Sequence, residues 1–148
     1  MQVEPTLDLL TQIHQGSHMA VQGYDEVLKD TQDQQMRQML AQLQDEHKEV
    51  ALEASRRLME HGAIPKEPPM MTRLIAWAQE GLQTMFDGTP DRLMSILLDG
   101  ARMGLVATEN SIDRDFHADP DVLEFALRYR DQQRCQLDQL RELRRQVH

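Results

Sequence analysis

Apolar residues recur along this chain at intervals of three and four, the spacing that lines one side of an α-helix. In the first segment Leu7, Leu10, Ile13, Ala20, Val21, Tyr24, Val27 and Leu28 form such a stripe. It predicts a helix over about 6–29, with Thr6 after Pro5 as its N-cap. His14 and Ser17 fall on the same stripe. The polar run DTQDQ at 30–34 reads as a short turn, with Asp33 placed to cap the next helix. A second stripe, Met36, Met39, Leu40, Leu43, Val50, Ala51, Ala54 and Leu58, predicts a helix over about 34–61. His47 fills the gap between Leu43 and Val50, and Gly62 suits the position just past the helix end.

The run GAIPKEPP at 62–69 is a clear break. A shorter helix is predicted over about 71–86 on Leu74, Ala78, Leu82, Met85 and Phe86, with Trp77 beside them. Thr89-Pro90 is a restart signal, a capping residue followed by a first-turn proline. It opens a helix over about 91–116 that carries Leu93, Ile96, Leu97, Leu105, Ile112 and Phe116. Asp119-Pro120 repeats the device and opens a last helix through Leu123, Ala126, Leu127, Leu137 and Leu140. The fold class is therefore all-α. A single domain of four long helices is expected: hairpin one at 6–61, a partly helical crossover at 62–90 and hairpin two at 91–146. Short loops force antiparallel neighbours, and a long middle connection lets the second hairpin start from the far end of the bundle.

A weak internal repeat fits two matching hairpins. Gly16-Ser17-His18-Met19 aligns with Gly100-Ala101-Arg102-Met103 at a shift of 84, which also sets Asp25 against Glu109. Gly16, Ala20 and Gly23 on helix one, with Gly100 and Gly104 on helix three, make small-residue tracks. Each glycine costs about 1 kcal/mol relative to alanine in a helix, so close helix packing is the expected reason for them.

Three stretches carry a family resemblance: GYDEVLKD at 23–30, LMEHGAIP at 58–65 and WAQEGLQTMFDG at 77–88. With the hairpin pattern they make the chain similar to the ferritin-like four-helix bundle superfamily, over nearly its whole length. More narrowly, it resembles a small uncharacterised proteobacterial family, a domain of unknown function. The superfamily implies a di-iron site, with a glutamate on helices one and three and Glu-x-x-His on helices two and four. Glu109, and Asp25 or Glu26, could serve the first requirement but stand too close to the turn to meet His47; Gln44 stands three before His47, and with the hairpins aligned through Asp33 and Asp119 the matching place on helix four holds Arg130 and Gln133. An arginine there would repel the cations, so ferroxidase or oxygen-activating chemistry is not expected.

Composition narrows the partners. Of the 148 residues 40% are apolar and 28% charged, and the formal net charge is −9, which makes nucleic acid and anionic membrane poor partners. Six arginines between Arg128 and Arg145, interleaved with Asp131, Asp138 and Glu142, read as a solvated helix face. One cysteine, Cys135, rules out an intrachain disulfide; the start lacks the basic and apolar regions of a signal peptide, and no apolar run nears the ~18 residues of a membrane span. These point to the cytoplasm.

Candidate chemistry centres on QDEHKE at 44–49. By helical phase Asp45, Glu46, Lys48 and Glu49 face solvent with Glu53, Arg56 and Arg57, and His47 alone turns inward. Counting from the turn near residue 32, His47 stands level with Ser17, flanked by His14 and His18. His14, His18 and His47 could thus form a three-nitrogen site for zinc, iron or another divalent ion. The alternative makes His14 and His47 core histidines bonded to Ser17, Gln44, Gln133 or a buried water, with His18 at the surface. Tyr24 and Tyr129 are stripe residues whose hydroxyls reach polar groups. Cys135 lies off the core, and no Gly-rich phosphate loop or Ser-His-Asp arrangement is present. Met70, Met71, Met85 and Trp77 on the crossover suggest a dimer seam. The expected function is a non-enzymatic ferritin-like bundle acting through self-association or contact with a protein partner, in a stress-related role. The alternative is a divalent-metal-binding bundle.

Overall fold

The computed structural model describes residues 3–66 and 89–146. The predicted crossover helix at 71–86, with Met70, Met71, Trp77 and Met85, lies outside the described residues. Four helices account for the rest: α1 (Val3–Asp30), α2 (Gln34–Glu60), α3 (Pro90–Arg114) and α4 (Pro120–Gln146).

The helix ends follow local chemistry. α1 starts three residues before the expected cap, because Pro5 is tolerated in a first turn whose N–H groups have no intrahelical partner anyway. Thr6 is therefore not a cap. Its buried Oγ1 instead accepts a hydrogen bond from the Asp119 N–H at 2.9 Å, joining the start of α1 to the α3–α4 turn. Asp33 caps α2 as expected, accepting from the Met36 N–H at 2.8 Å. Gly62 takes the left-handed conformation that closes that helix, at φ 77°. Thr89 precedes Pro90 at the start of α3, but its side chain makes no capping hydrogen bond, so the proline's fixed φ carries the restart.

The contacts set the helix directions. α1 packs against the other three helices, and the pairs α1–α2 and α3–α4 are the hairpins. His61, just past α2, lies 3.5 Å from Asp119, and Arg57 lies 3.7 Å from Asp121. The end of α2, the start of α1 and the α3–α4 turn thus share one end of the bundle. At the other end Arg144 near the close of α4 meets Asp91 at the start of α3, at 3.3 Å. α3 accordingly begins at the end opposite to where α2 finishes, and the order of directions is up, down, down, up.

Two apolar clusters fill the interior. Near the α1–α2 turn Val27, Leu40, Leu43, Met94, Leu98 and Leu140 pack together. At the other end Leu9, Leu10, Ile13, Leu58, Val122 and Phe125 do the same. Between them lies a buried polar layer that includes Ser17, Gln44, His47, Thr108, Gln133 and Gln136.

Candidate functional site: a cleft over a buried polar layer

The small-residue tracks meet at this layer. Gly16, Ala20 and Gly23 repeat at four and three residues on α1, as Gly100, Gly104 and Ala107 do on α3, so each set lies along one helix face. The two faces enclose a cleft of about 410 Å³. At Gly23 and Gly104 close packing, the expected reason for these glycines, is not what the structure shows. A Cβ added at Gly23 would meet nothing within 4 Å, and one at Gly104 would meet only Gln133 Nε2 at 3.5 Å. Two side-chain-poor faces stand opposite one another, and neither fills the space between. Met19, Leu97, Ala101 and Met103 complete the apolar walls.

The floor is polar. Tyr24, His47, Tyr129, Gln133 and Gln136 reach it from α1, α2 and α4. His47 Nδ1 lies 3.0 Å from the Tyr129 hydroxyl, and the two rings meet edge to face with centroids 5.7 Å apart. The Tyr24 ring is also near the imidazole, tilted to it with centroids 5.8 Å apart. Burial pushes the His47 imidazole down to about 4, opposed by a hydrogen bond to Gln136 and by the Glu46 carboxylate. Burial raises both tyrosine hydroxyls above their ordinary range. The floor is therefore uncharged at neutral pH.

Most of the layer satisfies itself. Ser17 Oγ and Thr108 Oγ1 bond back to carbonyls of their own helices, Ile13 and Gly104. Gln44 Nε2 donates to the Val21 carbonyl at 2.9 Å and to Asp25 at 2.6 Å. Gln136 Nε2 donates to Glu46 at 2.9 Å. The exception is Gln133. Its side chain is 7% exposed, and its Oε1 is buried with no partner. At the lower end of the cleft Gln12 Oε1 is also unpartnered, on a half-buried residue.

The three histidines divide. His14 and His18 meet edge to face with ring centroids 4.6 Å apart. His14 is buried and its Nδ1 has no partner; burial and the neighbouring His18 lower its pKa, and a hydrogen bond to the Lys66 backbone opposes them. His47 contacts the two tyrosine rings instead. Among the described residues no group of three or more His, Cys, Asp or Glu is placed to hold a metal ion. The di-iron positions do not fit that centre either. Glu109 is held by Arg134 at 2.7 Å, Asp25 accepts from Gln44, and Arg130 pairs with Asp131 at 2.9 Å.

The QDEHKE face needs two corrections. Glu46 is half-buried and accepts from Gln132 and Gln136 on α4, so it belongs to the α2–α4 seam. Arg57 lies with its guanidinium 4.8 Å over the Phe125 ring, covered rather than solvated. Asp45, Lys48 and Glu49 are exposed as expected, and so is Cys135. The arginines of α4 are largely spent in surface ion pairs, Arg141 with Asp138 and Arg145 with Glu142 among them. Among the described residues no helix is long and apolar enough to cross a membrane.

No family model, curated protein or solved structure matches this chain.

Proposed function

We propose that the chain is a non-enzymatic, ferritin-like four-helix bundle that works by binding. The observation that carries this reading is the 410 Å³ cleft with apolar walls and an uncharged polar floor. That volume is in the range of sites for small organic molecules, which are mostly apolar with a few placed polar groups. Proton-transfer catalysis wants a group that titrates near the working pH. His47, at about 4, and the two raised tyrosines do not. The up, down, down, up order of the helices supports the ferritin-like part of the reading.

Self-association or contact with a protein partner extends it. Met103 and Val106, 66% and 53% exposed, stand one turn apart on α3, with Met103 also lining the cleft. A second copy seated there would cover the cleft mouth.

The test is binding of Nile red, an uncharged apolar dye, to the untagged full chain beside Gly23→Leu. A Cβ at residue 23 meets nothing within 4 Å and the exchange removes a helical glycine, and circular dichroism and the melting temperature check that the variant folds. One dye per chain in the parent, with a blue-shifted emission absent from the variant, is the expected result. Equal binding by both overturns the reading.

A second reading, a divalent metal site, is favoured by the unpartnered Nδ1 of His14 beside His18. Elemental analysis of untagged protein grown with zinc and iron, beside His14→Ala and His47→Ala, decides it. Metal near one equivalent, lost on His14→Ala, supports this second reading, and retention in His47→Ala assigns the metal to the α1 pair alone. No metal in the parent discards it.

A further inference from the structure

The outer side of α3 carries a charge pattern that is complementary to itself. Met103, Val106 and Asn110, all exposed, run along the middle of that side at spacings of three and four. Asp99 and Arg102 stand at one end of it, Asp113 and Arg114 at the other, and all four are exposed. The one charged residue between them in the sequence, Glu109, is turned to Arg134 of α4 at 2.7 Å.

An acid followed by a base at each end matches its own reverse. Consider α3 laid antiparallel on α3 of a second copy, with the twofold axis between Val106 and Ala107. Asp99 then stands opposite Arg114 of the second copy. Arg102 and Asp113 of the second copy are two positions out of register, about 3 Å, well within an arginine's reach. By symmetry four ion pairs bracket about 22 Å of helix. At the axis Val106 meets Ala107, which is exposed and small enough to let the two backbones approach closely. A parallel pairing would instead set Asp99 on Asp99 and Arg114 on Arg114. Both arginines hold a carboxylate of their own chain, Arg102 that of Asp99 at 3.3 Å and Arg114 that of Asp115 at 2.8 Å. A guanidinium has five N–H donors, so each can take a second carboxylate.

The balance of charge matters in a chain whose net charge is −9, because two copies repel one another in general. The α3 face, with two acids and two bases, is neutral. Another exposed apolar pair, Leu52 and Met59 on α2, lies among Asp45, Glu49 and Glu60 against Lys48 and Arg56, so that face keeps the repulsion.

We infer that the outer face of α3 is a docking surface for a second copy of this chain, an antiparallel α3–α3 pair held by Val106 at its centre and by the reversed charge pairs at its ends. This rests on the self-association reading given above. One helix face on another buries less than the ~800 Å² per partner of a standard interface, so the dimer is a weak, concentration-dependent one.

The experiment is sedimentation equilibrium of the untagged full chain from about 1 µM to about 1 mM, with circular dichroism to confirm that each variant folds. The parent is expected to pass from monomer to dimer over that range. Val106→Arg should raise the dimer dissociation constant by at least about tenfold. Arg102→Asp and Asp113→Arg should each raise it about tenfold, since each reversal acts twice across the axis, and combining the two should bring it back to the parent value or below. A dimer indifferent to Val106→Arg lies on another surface, and a combined variant as weak as the single ones excludes the antiparallel register. Either result overturns the inference and leaves self-association standing. A chain that is monomeric at every concentration leaves the face to a different occupant and overturns both, while the cleft still answers to Nile red.

Discussion

His47 on α2 and Tyr129 on α4 are joined by a 3.0 Å hydrogen bond inside the floor of the cleft, both side chains almost wholly buried. The tautomer with its proton on Nε2 satisfies the whole imidazole. It accepts the Tyr129 O–H at Nδ1 and donates to Gln136, the partner that opposes the effect of burial on its pKa. The pair thus crosses between helices 82 positions apart in the chain and fixes how α2 and α4 face one another.

Tyr129→Phe tests that bond. The ring and its packing stay, but Nδ1 loses its donor on an almost wholly buried side chain. A buried group left without a partner costs about 1–3 kcal/mol. For a chain of this size the melting temperature falls about 2–4 °C per kcal/mol. Urea unfolding of parent and variant measures it, and an unchanged midpoint would mean that another donor already serves Nδ1.

His47 also ties stability to pH. Its folded pKa is lowered from 6.5 to about 4, so between those values the unfolded chain binds the extra proton and the folded chain does not. Stability from this group is complete above 6.5 and is lost as pH falls towards 4, by about 3 kcal/mol at most. The lowered pKa of His14 acts with the same sign. Exposed His61, whose pKa is raised by the Arg57 carbonyl and by Asp119, acts with the opposite sign. Unfolding free energies at pH 7.5 and pH 5, compared between parent and His47→Gln, isolate the term. The variant should show the smaller loss; parallel losses would remove His47 as the cause.

Thr6 makes the tie that places hairpin two on hairpin one at the lower end. Thr6→Val keeps the shape and leaves the Asp119 N–H without an acceptor. The expected cost is about 1–2 kcal/mol, with faster hydrogen exchange at the Asp119 amide. Thr6→Ser keeps the hydroxyl and should hold that amide's protection at the parent level. Loss of protection in the serine variant as well would show that methyl packing, not the bond, is what matters.

The helices were legible because their signals are local. Stripes at three and four residues, the Asp33 cap and the glycine just past α2 all act within one or two turns. The inward turn of His47 was legible for the same reason, since it fills a gap in its own stripe. Its partner was not. Ser17, Gln44 and Gln133 were as plausible as Tyr129 from helical phase alone, because the choice depends on the rotation of α2 against α4. The cleft was hidden more deeply. A track of glycine and alanine has one sequence signature whether the facing helix presents side chains that fill it or a second bare track. Thr6 misled by composition: a threonine after a proline looks like a cap, and only the α3–α4 turn, far along the chain, shows what its hydroxyl is for.

Gln133 gives a last prediction, of a sign opposite to most core substitutions. An acceptor buried without a partner destabilises the unliganded fold, by about 1–3 kcal/mol. Gln133→Leu replaces it with a side chain of similar size that the apolar walls of the cleft can cover. The protein should then become more stable, by about 1 kcal/mol. Sites shaped for a ligand often carry this cost, and removing it commonly raises stability at the expense of function. Thermal unfolding of parent and Gln133→Leu reads this directly. A destabilised variant would mean that Oε1 already has a donor in the folded chain.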